Sequence, residues 1–162
     1  MPAKHPAKYS REILPVLRAA TAGLARPLWQ SPAYLLDNMG GIGGVHALAR
    51  PGLITVANEI EWDWACQNVS NIQGDCLDLP FADWTFDGIC VSPVYFNRMS
   101  DHHNAKDGSK RNTYTHTIGH ELHPNNAGKI QWGAGAEEFT WLMLAEALRV
   151  LKPGRNSRFI LN

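Results

Sequence analysis

The sequence has few charges, few cysteines and no long apolar run. Charged residues make up 19% of its 162 residues, and fifteen bases balance fifteen acids, so bulk charge does not favour nucleic acid. An apolar run of about 18 residues, which a transmembrane helix needs, does not occur. The basic segment Met1–Ser10 lacks the apolar stretch of a secretory signal. These absences predict a cytoplasmic globular protein with no membrane partner.

The three cysteines, Cys66, Cys76 and Cys90, lie in apolar stretches of the sequence, and no two of them form a CxxC pair. An odd number without such a pair favours neither a disulfide framework nor a zinc site. We expect buried, reduced thiols.

The charges are unevenly distributed along the chain. Residues 30–96 carry eight acids and one base, whereas residues 1–29 carry five bases and one acid. Residues 97–131 carry five bases, three acids and five histidines. An acidic middle suits a small cationic ligand, and basic flanks suit a phosphate backbone.

Short apolar runs alternate with helix-like stretches along one domain, residues 1–162. The alternation predicts an α/β fold with a doubly wound, mainly parallel sheet. We expect the strand order 3-2-1-4-5, with the strand that ends at Asp37 in the centre. The predicted strands are Ala33–Asp37, Leu53–Ala57, Asn71–Gly74, Phe86–Val91 and Arg158–Leu161.

Four helix-like stretches are predicted, and two of them, His46–Arg50 and Trp62–Asn68, are short segments between the strands. The first is Ser10–Ala25, with Ser10 as a possible N-cap and Pro15 near its first turn. The clearest is Glu137–Leu151, stopped by Pro153 and Gly154. Its predicted buried face consists of Phe139, Leu142, Met143, Ala147 and Val150. The tryptophans are expected mostly in the core or a ligand pocket, with Trp132 as a candidate stacking residue.

Residues 97–135 form a polar insert without a sustained period. Such an insert is usually functional or disordered, and this one follows the carboxyl end of a strand, where open α/β sheets bind ligands. His116 and His120 have a spacing that suits zinc on a helix, but Thr113–Thr117 does not favour one, so we expect no metal. The histidines are either ordinary loop residues or contacts to phosphates and bases. The candidate nucleic-acid-binding residues are Arg98, Lys106, Lys110 and Arg111.

Glycines and acids follow the first three predicted strands. Asp37 begins the run Asp-Asn-Met-Gly-Gly-Ile-Gly-Gly, in which glycines let the backbone turn sharply and approach a ligand. Glu59 ends the second strand, where a carboxylate can accept both hydroxyls of an adenosine ribose. Asp75 follows the third strand and is placed to meet an adenine edge. Parallel strands bring all three acids to one crevice.

Ser92-Pro93-Val94-Tyr95 follows the fourth strand. An exocyclic amine that attacks a methyl sulfonium becomes tetrahedral, and acceptors for its N–H groups promote this change. The Ser92 hydroxyl and the Pro93 carbonyl are such acceptors, and Tyr95 offers a face on which an extruded base could stack.

These motifs resemble those of the DNA amino-methyltransferases, most closely small phage and actinobacterial DNA methylase-like proteins. That family's glycine loop reads Asp-Pro-Phe-Ala-Gly-Thr-Gly-Gly, and its catalytic turn reads Ser/Asn/Asp-Pro-Pro-Tyr. The resemblance runs over most of the chain and implies a Rossmann-like class I methyltransferase that uses S-adenosylmethionine. The implied target is an exocyclic amino group of DNA, at N4 of cytosine or N6 of adenine.

The resemblance also implies which residues hold the cofactor. Lys8, Tyr9 and Ser10 would touch its methionine end. Asp37, Gly41 and Gly43 would hold its amino-acid part. Glu59 would bind the ribose, and Asp75 with Cys76 would bind the adenine. Ser92, Pro93 and Tyr95 would be catalytic.

The sequence departs from the family pattern in three places. Asn38, Gly40 and Ile42 replace proline, alanine and threonine of the glycine loop, and Val94 replaces the second proline of the turn. The chain also ends after the fifth strand, where family members continue into further strands, so its edge could pair with a second copy. Two alternatives therefore stay open: an RNA base methyltransferase, and a non-catalytic protein that binds cofactor or nucleic acid.

Overall fold

A five-stranded parallel sheet forms the centre of the structure, a computed structural model that describes residues 9–94, 96 and 114–161. The strands follow the order β3-β2-β1-β4-β5, as predicted, so β5 lies at an edge. In the centre, Leu36 of β1 pairs with Val56 on one side and Ile89 on the other. The strands are β1 (Ala33–Asp37), β2 (Leu53–Glu59), β3 (Asn71–Gln73), β4 (Gly88–Val91) and β5 (Arg158–Leu161).

Helices cover both faces of this sheet. The described α-helices are α1 (Leu14–Ala20), α2 (Trp62–Ala65), α3 (Tyr114–Ile118) and α4 (Ala134–Val150), and 3₁₀ turns occupy Ala22–Leu24, Gly44–Leu48 and Ala127–Lys129. Side chains alternate across a strand, so Leu35 packs in the cluster of α1 whereas Leu36 packs in that of α4. Both faces are thus buried, as a parallel sheet requires.

The first helix is shorter than predicted, and Ser10 does not cap it. The cap position is Ile13, without a side-chain hydrogen bond, and the Ser10 carbonyl accepts the Leu14 N–H at 3.1 Å. Pro15 lies in the first turn, where its missing N–H breaks no helical bond. The chain then tightens into the 3₁₀ turn after Thr21, whose hydroxyl donates to the Leu17 carbonyl at 2.8 Å.

The predicted buried face of α4 is correct except at Leu142, which is 50% exposed. The buried residues are Ala136, Phe139, Met143, Ala147 and Val150. Consecutive helical residues point about 100° apart, so Leu142 lies beside this stripe rather than on it. No helix in the described ranges is long and apolar enough to cross a bilayer.

The prediction that the tryptophans are mostly internal is wrong for four of them, and the prediction for one cysteine is wrong as well. Only Trp64 is buried, because aliphatic side chains fill the space against the sheet and the other tryptophans lie on loops or the outer side of helices. The exposed ones are Trp29, Trp62, Trp84, Trp132 and Trp141. Cys76 and Cys90 are buried as expected, but Cys66 is exposed, because it caps the short α2 at the surface.

Candidate functional site

The loop after β1 is tied to β2 at close range. Asp37 accepts the Met39 N–H at 3.1 Å, and the Gly40 N–H donates to the Asn58 carbonyl at 2.8 Å. A Cβ on Gly40 would lie 2.5 Å from that of Ala57, so only glycine allows this approach. Gly43 has a φ of 87°, in the left-handed region that glycine adopts readily. The glycines therefore bring this loop against β2.

Glu59 is the buried carboxylate at the end of β2. Its Oε2 accepts the Gly41 N–H at 2.8 Å, and its Oε1 accepts the Glu61 N–H at 3.0 Å. These two backbone bonds fix the orientation of the carboxylate. A carboxylate has about four acceptor positions, so it can also accept hydroxyl donors.

Tyr9 covers the far end of the glycine loop. Its hydroxyl donates to Asp37 Oδ2 at 2.8 Å, and a Cβ on Gly44 would lie 2.4 Å from its Cδ2. Burial, followed by the negative charge of Asp37, raises the pKa of Tyr9 far above its usual range. The phenol thus stays a neutral donor. Burial also raises the pKa of the neighbouring Cys90 thiol to about 11.

A cleft opens at the carboxyl ends of β1 to β4. One side, the near wall, is formed by the loops that follow β1, β2 and β3. The opposite side, the far wall, is formed by residues 114–139. The near wall contributes Asn38, Met39, Glu59, Ile60, Gly74 and Cys76, and the far wall contributes Tyr114, Asn125, Asn126, Ala127 and Phe139, with Trp64 and Val94 completing the lining.

The far wall is attached to the loop after β2 through Glu61. This buried side chain accepts the His123 N–H at 2.8 Å and the Asn126 Nδ2–H at 2.7 Å, both at Oε1. His120 adds a surface contact, with Nε2 at 2.9 Å from Asp63 Oδ2. The bond to Asp63 raises the pKa of His120 above its usual value.

The far wall also reaches the acid after β3. Asp75 Oδ1 accepts the Leu77 N–H at 2.9 Å, and its Oδ2 accepts Nδ2–H of Asn125 at 2.9 Å. Cys76, beside it, is buried and lines the cleft. The pair that was predicted to meet an adenine therefore lies at the cleft, with Cys76 on its surface and Asp75 on its rim.

The predicted Thr113–Thr117 loop is wrong in the part described, because α3 spans Tyr114–Ile118. Apolar side chains stabilise this short helix despite its threonines: Tyr114, Ile118 and Leu122 are buried in one cluster with Phe139. Trp64 packs edge to face on Tyr114, with ring centroids 5.8 Å apart. The second half of the polar insert thus contributes three apolar side chains to the core.

The loop after β4 reaches the same cleft. Ser92 and Pro93 are half-buried directly after β4, and Val94 lines the cleft. Phe96 is buried at a φ of 56°, a conformation that is costly for a residue with a side chain. It packs edge to face on both Phe139 and the exposed Trp132, with centroids 5.8 Å apart in each case.

Several predicted residues are brought together and others are not described. Seven of them lie at the carboxyl ends of β1 to β4 or in the loops that follow, and Tyr9 joins them through Asp37: Asp37, Gly41, Glu59, Asp75, Cys76, Ser92 and Pro93. Gly43 continues the same loop. The remaining predicted site residues, Lys8, Tyr95, Arg98, Lys106, Lys110 and Arg111, lie outside the described residues.

Sequence reasoning missed the residues that complete the cleft. Glu61 lies two positions after Glu59, and in an extended chain this spacing places both side chains on the same side. The spacing is a signal that could have identified Glu61 as a residue of the site. Asn125 and Asn126 carry no such signal, because they follow Glu61 by more than sixty residues. Asn38 was noted only as a departure from a motif.

Comparisons with known proteins support the fold. No family model matches the sequence, and a search of curated proteins found no match. Among solved structures, the YcgJ protein of Bacillus subtilis is 16% identical with a TM-score of 0.52, over 93% of this chain and 49% of that one. A candidate sarcosine dimethylglycine methyltransferase from Galdieria sulphuraria is 16% identical with a TM-score of 0.49, over 91% and 43%.

A third structure is a SAM-dependent methyltransferase from Aquifex aeolicus, 13% identical with a TM-score of 0.38, over 90% of this chain and 69% of that one. The sequence spans about half the length of the first two solved chains. The sheet order and the Bacillus match show the Rossmann-like fold of class I methyltransferases.

Proposed function

We propose that this protein is an S-adenosylmethionine-dependent methyltransferase that acts on an exocyclic amino group of a DNA base. The observation that carries the proposal is a single cleft that meets both motif loops. Glu59 and Asn38 line it on one side, and Val94 of the Ser92–Tyr95 turn lines it on another. Group transfer requires that donor and acceptor sites adjoin, and the presence of both motif loops at one cleft supports the proposal.

The residues that line the cleft offer partners for the adenosine part of the proposed cofactor. Glu59 is a buried acceptor for ribose hydroxyls, and Ile60, Cys76 and Phe139 offer apolar surface for a purine ring. Asp75 on the rim can accept a purine amino group, as it accepts the amide of Asn125. Asn38 adds buried side-chain atoms that make no hydrogen bond with any described residue, which a polar ligand would satisfy.

The other end of the cofactor is assigned to the glycine loop. Asp37 is a fully buried acid that complements an ammonium group, with Gly41 and Gly43 in the loop that follows it and the Tyr9 hydroxyl bonded to its Oδ2. When bound, the cofactor supplies a methyl group on a positively charged sulfur. The acidic middle of the chain suits a ligand of this charge.

Ser92 and Pro93 would act on the amine. The Ser92 hydroxyl oxygen and the Pro93 carbonyl accept hydrogen bonds from the amino group as it loses planarity, which stabilises the transition state more than the ground state. Both residues follow β4 directly and are half-buried beside the cleft. Tyr95 would stack on the extruded base.

DNA is the proposed partner because basic residues flank the acidic middle. Arg98, Lys106, Lys110 and Arg111 would contact phosphates, and each such contact should contribute about 1 to the salt slope of binding. Binding that does not depend on salt would contradict this assignment.

The test is transfer of a labelled methyl group from the cofactor to DNA, to RNA and to no substrate. Transfer to DNA is expected, and Ser92→Ala should lower turnover by about 10²–10³ with cofactor affinity unchanged. Ser31→Ala, at an exposed position before β1, is the matched control and should retain activity. Transfer to RNA alone would contradict the DNA assignment. Cofactor binding without transfer to either would show a non-catalytic protein.

A further inference from the structure

Asn38 is a buried amide with unsatisfied hydrogen-bonding groups. Its side chain is 1% exposed, and neither Oδ1 nor Nδ2 has a hydrogen-bond partner among the described residues. Buried polar atoms are normally paired, because an unpaired one loses its bonds to water without replacement. Asn38 is also one of the residues that line the cleft, so its amide lies beside the space that a ligand would occupy. This amide therefore indicates a ligand contact.

The backbone around Asn38 is held in place. The Asn38 carbonyl accepts a hydrogen bond from Nδ2–H of Asn58 at 3.3 Å. The side-chain amide of Asn58 also donates to the Gly74 carbonyl at 3.0 Å. On the next residue, the Met39 N–H donates to Asp37. The side chain thus extends from a fixed loop that is also bonded to Glu59 through Gly41. Such preorganisation is typical of a recognition group.

We propose that the Asn38 carboxamide recognises a sugar hydroxyl of the bound nucleoside together with Glu59. A carboxylate only accepts hydrogen bonds, so a hydroxyl that donates to Glu59 still needs a donor for its own oxygen. Among the polar side chains that line the cleft, Asn38 has an Nδ2–H₂ group without a partner in the described chain. Glu59 and Asn38 then form an acceptor and donor pair that selects a ribonucleoside. This inference rests on the proposed function, which places adenosine in the cleft.

A purely structural role for Asn38 predicts a different behaviour. A buried asparagine that stabilises a fold does so by bonding to neighbours, and replacing it lowers stability. Here the described neighbours make no bond to the side chain, so an apolar residue of similar shape should stabilise the free protein. The proposal therefore predicts that Asn38→Leu raises stability and lowers ligand affinity.

The experiment measures binding of S-adenosylhomocysteine and of its 2′-deoxy and 3′-deoxy analogues by calorimetry. Wild type should bind at least one deoxy analogue about tenfold more weakly than the parent. Asn38→Leu should bind the parent about tenfold more weakly and should no longer distinguish that analogue from it. Its midpoint of thermal unfolding without ligand should rise by about 2–4 °C.

Two further variants make the result specific. Asn38→Ala removes the same amide and carries the comparison if Asn38→Leu does not fold. Asn68→Ala changes an asparagine that caps a surface turn by accepting the Ser70 N–H, outside the cleft, and should bind like wild type. If wild type and both Asn38 variants distinguish S-adenosylhomocysteine from its deoxy analogues equally well, this inference is wrong while the proposed function still stands. A wild-type protein that does not bind S-adenosylhomocysteine would overturn the proposed function and the inference with it.

Discussion

The two walls of the cleft are held in different ways. In the near wall, backbone N–H groups donate to acids a short distance along the chain, as Gly41 does to Glu59 over 18 residues. In the far wall, His123 and Asn126 bond to Glu61, 62 and 65 residues away, and the Asn126 bond comes from a side chain. Asn125 reaches Asp75 over 50 residues in the same manner.

This difference indicates which wall forms independently. The near wall belongs to the sheet and its tight turns, so it should stay ordered with or without ligand. The far wall depends on a few polar contacts and the apolar cluster around Tyr114, so it should open at a lower free energy than the sheet. The cleft thus combines a rigid recognition surface with a cover of lower stability.

The largest expected effect comes from the near wall. Glu59→Ala should weaken binding of S-adenosylmethionine by about 3 kcal/mol or more, because it removes two charge-assisted hydrogen bonds worth about 1.5–3 kcal/mol each. Calorimetric titration measures this loss. Glu138→Ala, at an exposed position of α4, is the control and should bind normally. Equal affinity of the Glu59→Ala variant and wild type would remove Glu59 from the site.

A smaller effect is expected where the far wall is attached. Glu61→Ala should lower the free energy of unfolding by about 2–3 kcal/mol, because the part-buried N–H of His123 and the buried side-chain amide of Asn126 lose their shared acceptor. Hydrogen exchange should become faster in residues 114–130 but not in β1 and β2. The exposed Glu121→Ala is the matched control. Uniform acceleration through the sheet would show that the two walls unfold as one unit.

The two adjacent asparagines of the far wall sharpen the comparison further. Asn126 is buried and Asn125 is exposed, although each donates one hydrogen bond to an acid. Asn126→Ala should therefore lower the free energy of unfolding by about 1–2 kcal/mol, and Asn125→Ala by about 0.5 kcal/mol. Chemical denaturation of both variants measures the difference. A greater loss for Asn125→Ala would mean that the rim contact with Asp75, rather than Glu61, holds this wall.

The smallest expected effect is on pH dependence. Hydrogen bonding to Asp63 raises the pKa of His120 above its usual 6.5, so the protonated histidine stabilises the folded state. That contribution is fully present below the unfolded pKa and is lost as the pH rises through the folded value. His120→Ala should thus lower the unfolding midpoint slightly at about pH 5.5 and leave it unchanged at about pH 8.5. Asp63→Asn should remove the same pH dependence. If His120→Ala still lowers the unfolding midpoint at high pH, then His120 stabilises the fold by packing rather than by its charge.

The sequence by itself determined the sheet, its order and the near wall. Apolar runs that end in Asp37 and Glu59 predict parallel strands, and their carboxyl ends must meet at one edge. Glycines in the loop after β1 predict a sharp turn and a close backbone approach to a ligand; the close approach that the structure shows is that of Gly40 to Ala57 of β2. These features follow from local periodicity and from the conformations that glycine alone adopts, so they can be read along the chain.

Only the tertiary structure decided the far wall, the burial of Asn38 and the exposure of the tryptophans. Residues 114–133 look polar and aperiodic, yet Tyr114, Ile118 and Leu122 become core because Trp64 and Phe139 offer them an apolar surface. Glu61 and Asn126 show no mutual pattern, since their bond spans 65 residues. Pairings across such distances depend on how the helices pack on the sheet, and this packing is a property of the whole chain rather than of any local pattern.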